Sequence, residues 1–190
     1  TEGGQIRALI SLNMKNAGRR KGEGLVSTVM SNLGLERFLE AEGMRLERTK
    51  VGDRFVLERM KQLGWNLGGE QSGHMILSDY ATTGDGMVAA LQVLSVMVRQ
   101  SRRASEVLNQ FPPVPQVLKN VRFTGANPLD ADPVKDVIRE VEGEFGNAGR
   151  LVIRPSGTEP LIRVMAEGDD AAFVDQAVNR ICEVVRASAG

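Results

Sequence analysis

The sequence predicts two domains in series, an α/β domain over residues 1–112 and a smaller α+β domain over residues 113–190. Three observations carry that prediction. Strand-like and helix-like stretches alternate through the first half, the rhythm of adjacent parallel strands joined by helical crossovers. The run Phe111-Pro112-Pro113-Val114-Pro115 is stiff, extended and poor in hydrogen-bond donors, which suits a domain boundary. Beyond it, two apolar strands separated by a short turn are bracketed by amphipathic helices, as in an antiparallel sheet covered on one face by two helices.

Taken in order, residues 5–14 place Ile6, Leu9, Ile10 and Met14 on one face of a short helix. The basic, Gly-rich stretch from Lys15 to Gly24 contains Arg19-Arg20-Lys21 but no aromatic neighbour, and reads as a solvated loop rather than a nucleic-acid patch. Leu25 to Met30 reads as a buried strand. Asn32 caps a helix carrying Leu35, Phe38 and Leu39 and stopping at Gly43, and Met44 to Thr49 is a second strand. Val51-Gly52-Asp53-Arg54 opens a helix with Val56, Leu57, Met60 and Leu63, ending near Gly64, and Trp65-Asn66-Leu67 adds a short strand. Met75-Ile76-Leu77 follows as an apolar strand. Asp85 starts a helix whose Met87, Val88, Leu91, Leu94 and Val98 form one stripe, expected to face the core. In the second domain, Val117 to Phe123 reads as a strand and Asp132-Pro133 as a helix start ahead of Val134, Val137, Ile138, Val141 and Phe145. The hairpin strands lie at 150–154 and 161–167, and Asp169-Asp170 opens a last helix striped by Val174, Val178, Ile181 and Val185.

Composition narrows the function classes. Lys plus Arg and Asp plus Glu both number 24, so no global field draws in nucleic acid or an anionic membrane, and any anion site must be local. The single cysteine, Cys182, sits on an apolar helix stripe and reads as a buried thiol in a reducing compartment, so a cytoplasmic location is expected. No run of about 18 apolar residues exists to span a bilayer. The polar start Thr1-Glu2-Gly3-Gly4 does not read as a secretory signal and is not a natural beginning, which suggests a fragment.

Two stretches carry chemistry. In Arg154-Pro155-Ser156-Gly157-Thr158-Glu159-Pro160, followed by Leu161-Ile162-Arg163, a turn offers backbone N–H groups and two hydroxyls with a guanidinium at each end. Those are the donors of a phosphate cradle, although a plain polar turn with two surface arginines has the same composition. In Gly68-Gly69-Glu70-Gln71-Ser72-Gly73-His74, an extended loop would point Glu70, Ser72 and His74 to one side, giving acceptors and donors suited to sugar hydroxyls. One His and one Glu fall short of a metal site, and a Ser-His nucleophile pair lacks an orienting acid, so no metal ligand and no catalytic residue is assigned. Lys50 and Arg54 are further candidates for phosphate contact, since ligands of α/β sheets gather at the carboxyl ends of strands.

The first of these stretches resembles the phosphate-binding loop in the last domain of the α-D-phosphohexomutases, and Gly-Glu-x-Ser-Gly-His resembles the sugar-binding loop of their third domain. The segments Met30-Ser31-Asn32-Leu33-Gly34-Leu35-Glu36, Val51-Gly52-Asp53-Arg54 and Thr82-Thr83-Gly84-Asp85-Gly86 are similar to the bacterial branch of that family that acts on glucosamine phosphates. The resemblance spans nearly the whole chain. It implies a mixed sheet in the first domain, Glu70 and Ser72 (with His74 beside them) as sugar ligands, and Arg154, Ser156, Gly157, Thr158 and Arg163 as phosphate ligands. It also implies an isomerase that interconverts glucosamine 6-phosphate and glucosamine 1-phosphate, with Mg²⁺ and a glucosamine or glucose 1,6-bisphosphate activator. Phosphoglucomutase or phosphomannomutase specificity, or a non-catalytic sugar-phosphate module, are the alternatives. The family's Ser-His-Asn and Asp-x-Asp-x-Asp loops are absent from these residues, so the phosphoserine and the metal site are expected in N-terminal domains that this chain lacks. A hexosamine phosphate and those domains are the implied partners, with no nucleic acid or membrane, and the oligomeric state stays open with a homodimer as one option.

Overall fold

Residues 3–189 are described by the computed structural model; Thr1, Glu2 and Gly190 lie outside it, so the start read above is described only from Gly3 onward. The chain divides into two compact units at 113/114, one residue beyond the boundary expected from the prolines.

In the first unit, strand periodicity sorts side chains onto two helical layers. β1 (Gly24–Thr28) pairs in parallel with β2 (Arg45–Thr49) and with β3 (Leu67–Gly69), while β4 (Met75–Leu77) joins β3 antiparallel. The sheet is therefore mixed, in the order β2-β1-β3-β4. Leu25, Met75 and Leu77 pack with Ile10 and Met14 of α1 (Gly3–Asn16) and with Leu35 and Leu39 of α2 (Leu33–Ala41). Their neighbours Val26 and Ile76 pack instead with Val56 and Met60 of α3 (Asp53–Leu63) and with Trp65. One residue along a strand reverses the face, so helices cover both sides. Local signals end the helices where the sequence places them: the Asn32 side chain accepts from the Gly34 N–H, and Gly64 closes α3 in the left-handed conformation.

Two expectations fail here. The short strand lies at Leu67–Gly69 rather than 65–67, because Trp65 turns into the α3 layer and the two glycines, read as loop, complete the ladder with β1 and β4. Helix α4 (Gly86–Gln100) forms behind its Asp85 cap, but Met87, Leu91, Leu94 and Val98 do not face the core. They are 71%, 56%, 51% and 78% exposed, while Ala89 and Val96 are the residues buried. The helix carries apolar residues on more than one side, with Gln92, Ser95 and Arg99 sharing one face, and the pattern alone does not say which apolar side packs. α5 (Ala104–Val107) then leads to the proline run.

In the second unit, β5 (Gln116–Arg122), β6 (Gly149–Pro155) and β7 (Leu161–Gly168) form an antiparallel sheet in the order β5-β7-β6. α6 (Asp132–Phe145) and α7 (Ala171–Ala187) cover one face. Val134, Val137, Val141 and Phe145 from α6 and Val174, Val178, Ile181 and Val185 from α7 close the core over Val121, Ile162, Val164 and Ala166. Cys182 is buried in that core, where burial pushes its thiol pKa up. Asp170 caps α7 by accepting from the Ala172 and Phe173 N–H groups.

Candidate functional site

The antiparallel register decides what the second unit can bind. With α6 and α7 on one face, period-two alternation sends Arg154 of β6 and Arg163 of β7 to the other, and the two are direct cross-strand partners. Asn120 of β5 is the partner of Arg163 on its far side, so Asn120, Arg163 and Arg154 form one row. Like charges directly opposite each other destabilise a sheet. The Arg154 guanidinium is accordingly held below its ordinary pKa, first by burial and then by the charge of Arg163.

Several other cations of this unit have counter-ions. Arg150 pairs with the buried Glu167, Arg122 lies 3.6 Å from Glu159, and Arg180 binds Glu140 and Glu144. Arg154 and Arg163 have no carboxylate partner among the described residues, and the Nε of each is buried without a hydrogen-bond acceptor. Two half-buried guanidiniums with unmet donors, fixed side by side on rigid strands, have the donor chemistry that an anion with several acceptor oxygens would satisfy.

The turn between the strands adds to it. The Ser156 N–H donates to the Leu161 carbonyl (2.8 Å), the Leu161 N–H to the Glu159 carbonyl (2.8 Å) and the Phe123 N–H to the Pro160 carbonyl (3.1 Å), which pins both ends of the loop. The Ser156 hydroxyl is positioned beneath the Thr158 N–H at 3.4 Å, while Gly157 and Thr158 are exposed at the tip. All five residues expected at a phosphate lie in this one hairpin: Arg154 and Arg163 side by side, Ser156, Gly157 and Thr158 in the turn.

In the first unit, the loop from Glu70 to His74 is not extended. The Glu70 N–H donates to the His74 carbonyl (2.8 Å) and the Gly73 N–H to the Glu70 carbonyl (3.1 Å), which makes it the tight turn of the β3–β4 hairpin. The common direction expected for Glu70, Ser72 and His74 therefore does not follow from alternation. Ser72 projects at the exposed tip, and the other two are placed by neighbours. The Glu70 carboxylate accepts from the Gly52 N–H at 3.0 Å, in a turn where Gly52 has φ 132, a conformation that a side chain would strain. His74 has its Nδ1 3.9 Å from Asp53 Oδ2 and its ring against Gly84, where any Cβ would collide with it. The motif Val51-Gly52-Asp53 thus anchors the β3–β4 turn at the start of α3. Arg54 is turned away into an exposed pair with Glu58, which raises its pKa, and Lys50 is exposed.

Sequence reasoning missed the buried support of this turn. Arg7 is fully buried; its guanidinium donates to the hydroxyls of Ser27 and Ser31 and to the Gly69 carbonyl at 3.3 Å, and the Ser27 hydroxyl donates to the same carbonyl at 2.6 Å. This fixes the backbone immediately before Glu70. The available signal was a lone charge among the otherwise uncharged residues from Gly3 to Met14. Asn120 was missed as well, because its row is set by pairing across 43 positions of chain. Among the described residues no group of three His, Cys, Asp or Glu side chains converges on one point.

A mixed α/β/α unit with a charged hairpin turn, followed by an antiparallel sheet with an arginine pair, has clear counterparts. Residues 2–114 match the family model for phosphoglucomutase/phosphomannomutase, alpha/beta/alpha domain III, and residues 118–184 match that for the C-terminal domain. The chain belongs to this family, the phosphohexomutases. Within it, the similar curated relatives are phosphoglucosamine mutases: that of Sphingopyxis alaskensis is 65% identical over 98% of this chain, and that of Novosphingobium aromaticivorans 63% identical over 99%. The chain spans 42% of the length of each. Among solved structures, Aspergillus fumigatus N-acetylphosphoglucosamine mutase matches 99% of this chain and 44% of its own, with a TM-score of 0.81 and 18% identity. An N-acetylglucosamine-phosphate mutase in its substrate complex matches 97% of this chain and 44% of its own, with a TM-score of 0.77 and 20% identity. At such identities the structural likeness concerns the fold alone.

Proposed function

We propose that this chain is the substrate-gripping C-terminal portion of a phosphoglucosamine mutase, an isomerase that interconverts glucosamine 6-phosphate and glucosamine 1-phosphate. The product would feed the route to UDP-N-acetylglucosamine. The observation that carries this reading is the Arg154–Arg163 pair, in register and without a counter-ion. Fork-shaped guanidinium contacts bind a phosphate dianion bidentately, and the Ser156–Thr158 turn supplies hydroxyl and N–H donors around it. Glu70 and Ser72, with His74 beside them, would bind ring hydroxyls. The identity of the curated relatives supports glucosamine over glucose or mannose.

These residues bind and orient; they do not transfer the phosphoryl group. Transfer needs an in-line nucleophile and a cation to offset charge on the transferring oxygens. In the complete enzyme those would come from a phosphoserine and Mg²⁺ in the preceding domains. A fungal neighbour was solved with GlcNAc-6P and magnesium, and a variant of it with glucose 1,6-bisphosphate. By the same chemistry, a bisphosphate would turn over in the site while the arginine pair grips whichever phosphate is not reacting.

The experiment is a mutase assay of the full-length protein on glucosamine, glucose and mannose 6-phosphates, with Mg²⁺ and a bisphosphate activator. Preference for glucosamine 6-phosphate is expected. Preference for glucose or mannose would replace the specificity, and no turnover of any of the three would refute the enzymatic reading.

A further inference from the structure

The row formed by Asn120, Arg163 and Arg154 crosses all the strands of the second unit on the face opposite α6 and α7. On β5 the alternation of faces is explicit. Lys119 reaches Asp175 (2.9 Å) and Asn179 (2.6 Å) on α7, and Val121 enters the core, so Asn120 between them points away from the helices. Asn is poorly suited to a strand, because its short amide packs little and competes for backbone hydrogen bonds. The other polar side chains of β5 are engaged: Gln116 donates to Glu167 at 2.8 Å, Lys119 binds α7, and Arg122 lies 3.6 Å from Glu159. The Asn120 carboxamide is exposed and has no hydrogen-bond partner among the described residues. Neither packing nor a local bond accounts for an Asn at this position.

We propose that Asn120 is a further substrate-binding residue, whose Nδ2–H group donates to an oxygen of the phosphate held by Arg154 and Arg163. This rests on the reading of the arginine pair as a phosphate site. Direct cross-strand neighbours have Cβ atoms about 4.5 to 5.5 Å apart. An arginine side chain is longer than that spacing, so an oxygen on the Arg163 fork lies within reach of the neighbouring carboxamide. Charge explains the residue type. Two guanidiniums already face each other across β6 and β7, and a Lys or Arg at 120 would set a third cation beside Arg163. An Asp there would become the counter-ion of Arg163 and compete with the ligand, and an apolar residue would offer no donor. A carboxamide adds a donor without adding charge.

The test is calorimetric titration of the full-length protein with glucosamine 6-phosphate and with inorganic phosphate, alongside thermal unfolding without ligand. Asn120→Ala should weaken both ligands about tenfold, as expected for a lost hydrogen bond to a charged group, and leave the melting temperature unchanged. Asn120→Asp should weaken both further and raise the melting temperature, because its carboxylate pairs with Arg163. Intact affinities in Asn120→Ala would overturn the inference, as would a loss confined to glucosamine 6-phosphate or a loss accompanied by a lower melting temperature, the mark of a structural residue. An Asn120→Asp variant that binds as well as Asn120→Ala would also overturn it. Arg154→Ala separates the two levels: if it weakens both ligands while Asn120→Ala weakens neither, this inference alone fails, and if neither variant weakens either ligand, the phosphate reading fails with it.

Discussion

Replacing Arg154 by alanine separates a phosphate ligand from a structural arginine, because the two roles predict opposite signs in two measurements. A charge-assisted guanidinium–phosphate contact in a preformed site contributes about 1.5 to 3 kcal/mol. At about 1.4 kcal/mol per tenfold, Arg154→Ala should weaken glucosamine 6-phosphate binding about tenfold to a hundredfold. Stability should not fall with it. In the ligand-free protein Arg154 has no acceptor for its Nε, faces Arg163 across the strands and carries a depressed pKa. Cross-strand neighbours are about 5 Å apart, so removing one like charge relieves about 1 kcal/mol at the dielectric of water and about 3 kcal/mol at an effective dielectric near 20. The ligand-free melting temperature should hold or rise, while Arg154→Lys should restore charge without the fork and recover affinity in part. Arg19→Ala, which removes an exposed cation near Tyr80, should leave binding unchanged. Calorimetric titration and thermal unfolding of the full-length variants provide both readouts. A lower melting temperature with intact affinity, or equal affinity losses for Arg154 and Arg19, would refute the reasoning.

Further outcomes follow from the same structure. Ser72→Ala should weaken glucosamine 6-phosphate while leaving inorganic phosphate binding unchanged in parallel titrations, since Ser72 is exposed at the tip of the Glu70–Gly73 turn in the other unit. The 190-residue chain alone should show no mutase turnover above a vector-only control, with or without Mg²⁺ and glucose 1,6-bisphosphate. Cys182 should resist an aromatic disulfide reagent in the folded protein and react on denaturation, because it is fully buried and burial raises its thiol pKa. Asp79 is held below the ordinary carboxylate range, first by the hydrogen bond from Lys21 and then by that from Asn66. Its contribution is therefore present at neutral pH and lost as pH falls through the folded-state value, so Asp79→Asn should flatten the acid limb of the stability profile by under about 1 kcal/mol, read by urea unfolding across pH.

Much of this was legible from residue order, for identifiable reasons. Helix boundaries at Asn32, Gly64, Asp85 and Asp170 follow from capping chemistry that acts within a few residues. The hairpin around Arg154 was legible because apolar alternation and turn residues are local too. Features set by distant pairing were not. Strand register brings Arg154, Arg163 and Asn120 into a row, and no local pattern encodes it. The common direction of Glu70, Ser72 and His74 was conditional on an extended loop, and that condition fails because Gly69 and Met75 are ladder partners, so the residues between them must reverse direction. The α4 stripe was assigned to the core because periodicity reports an apolar face and not what covers it.

The proposed position of the phosphate is tested most simply by a crystal structure of the full-length protein with glucosamine 6-phosphate. A phosphate group is expected between the guanidiniums of Arg154 and Arg163, within hydrogen-bond distance of Ser156 and Thr158. A bound sugar phosphate whose phosphates both lie away from this pair would contradict it.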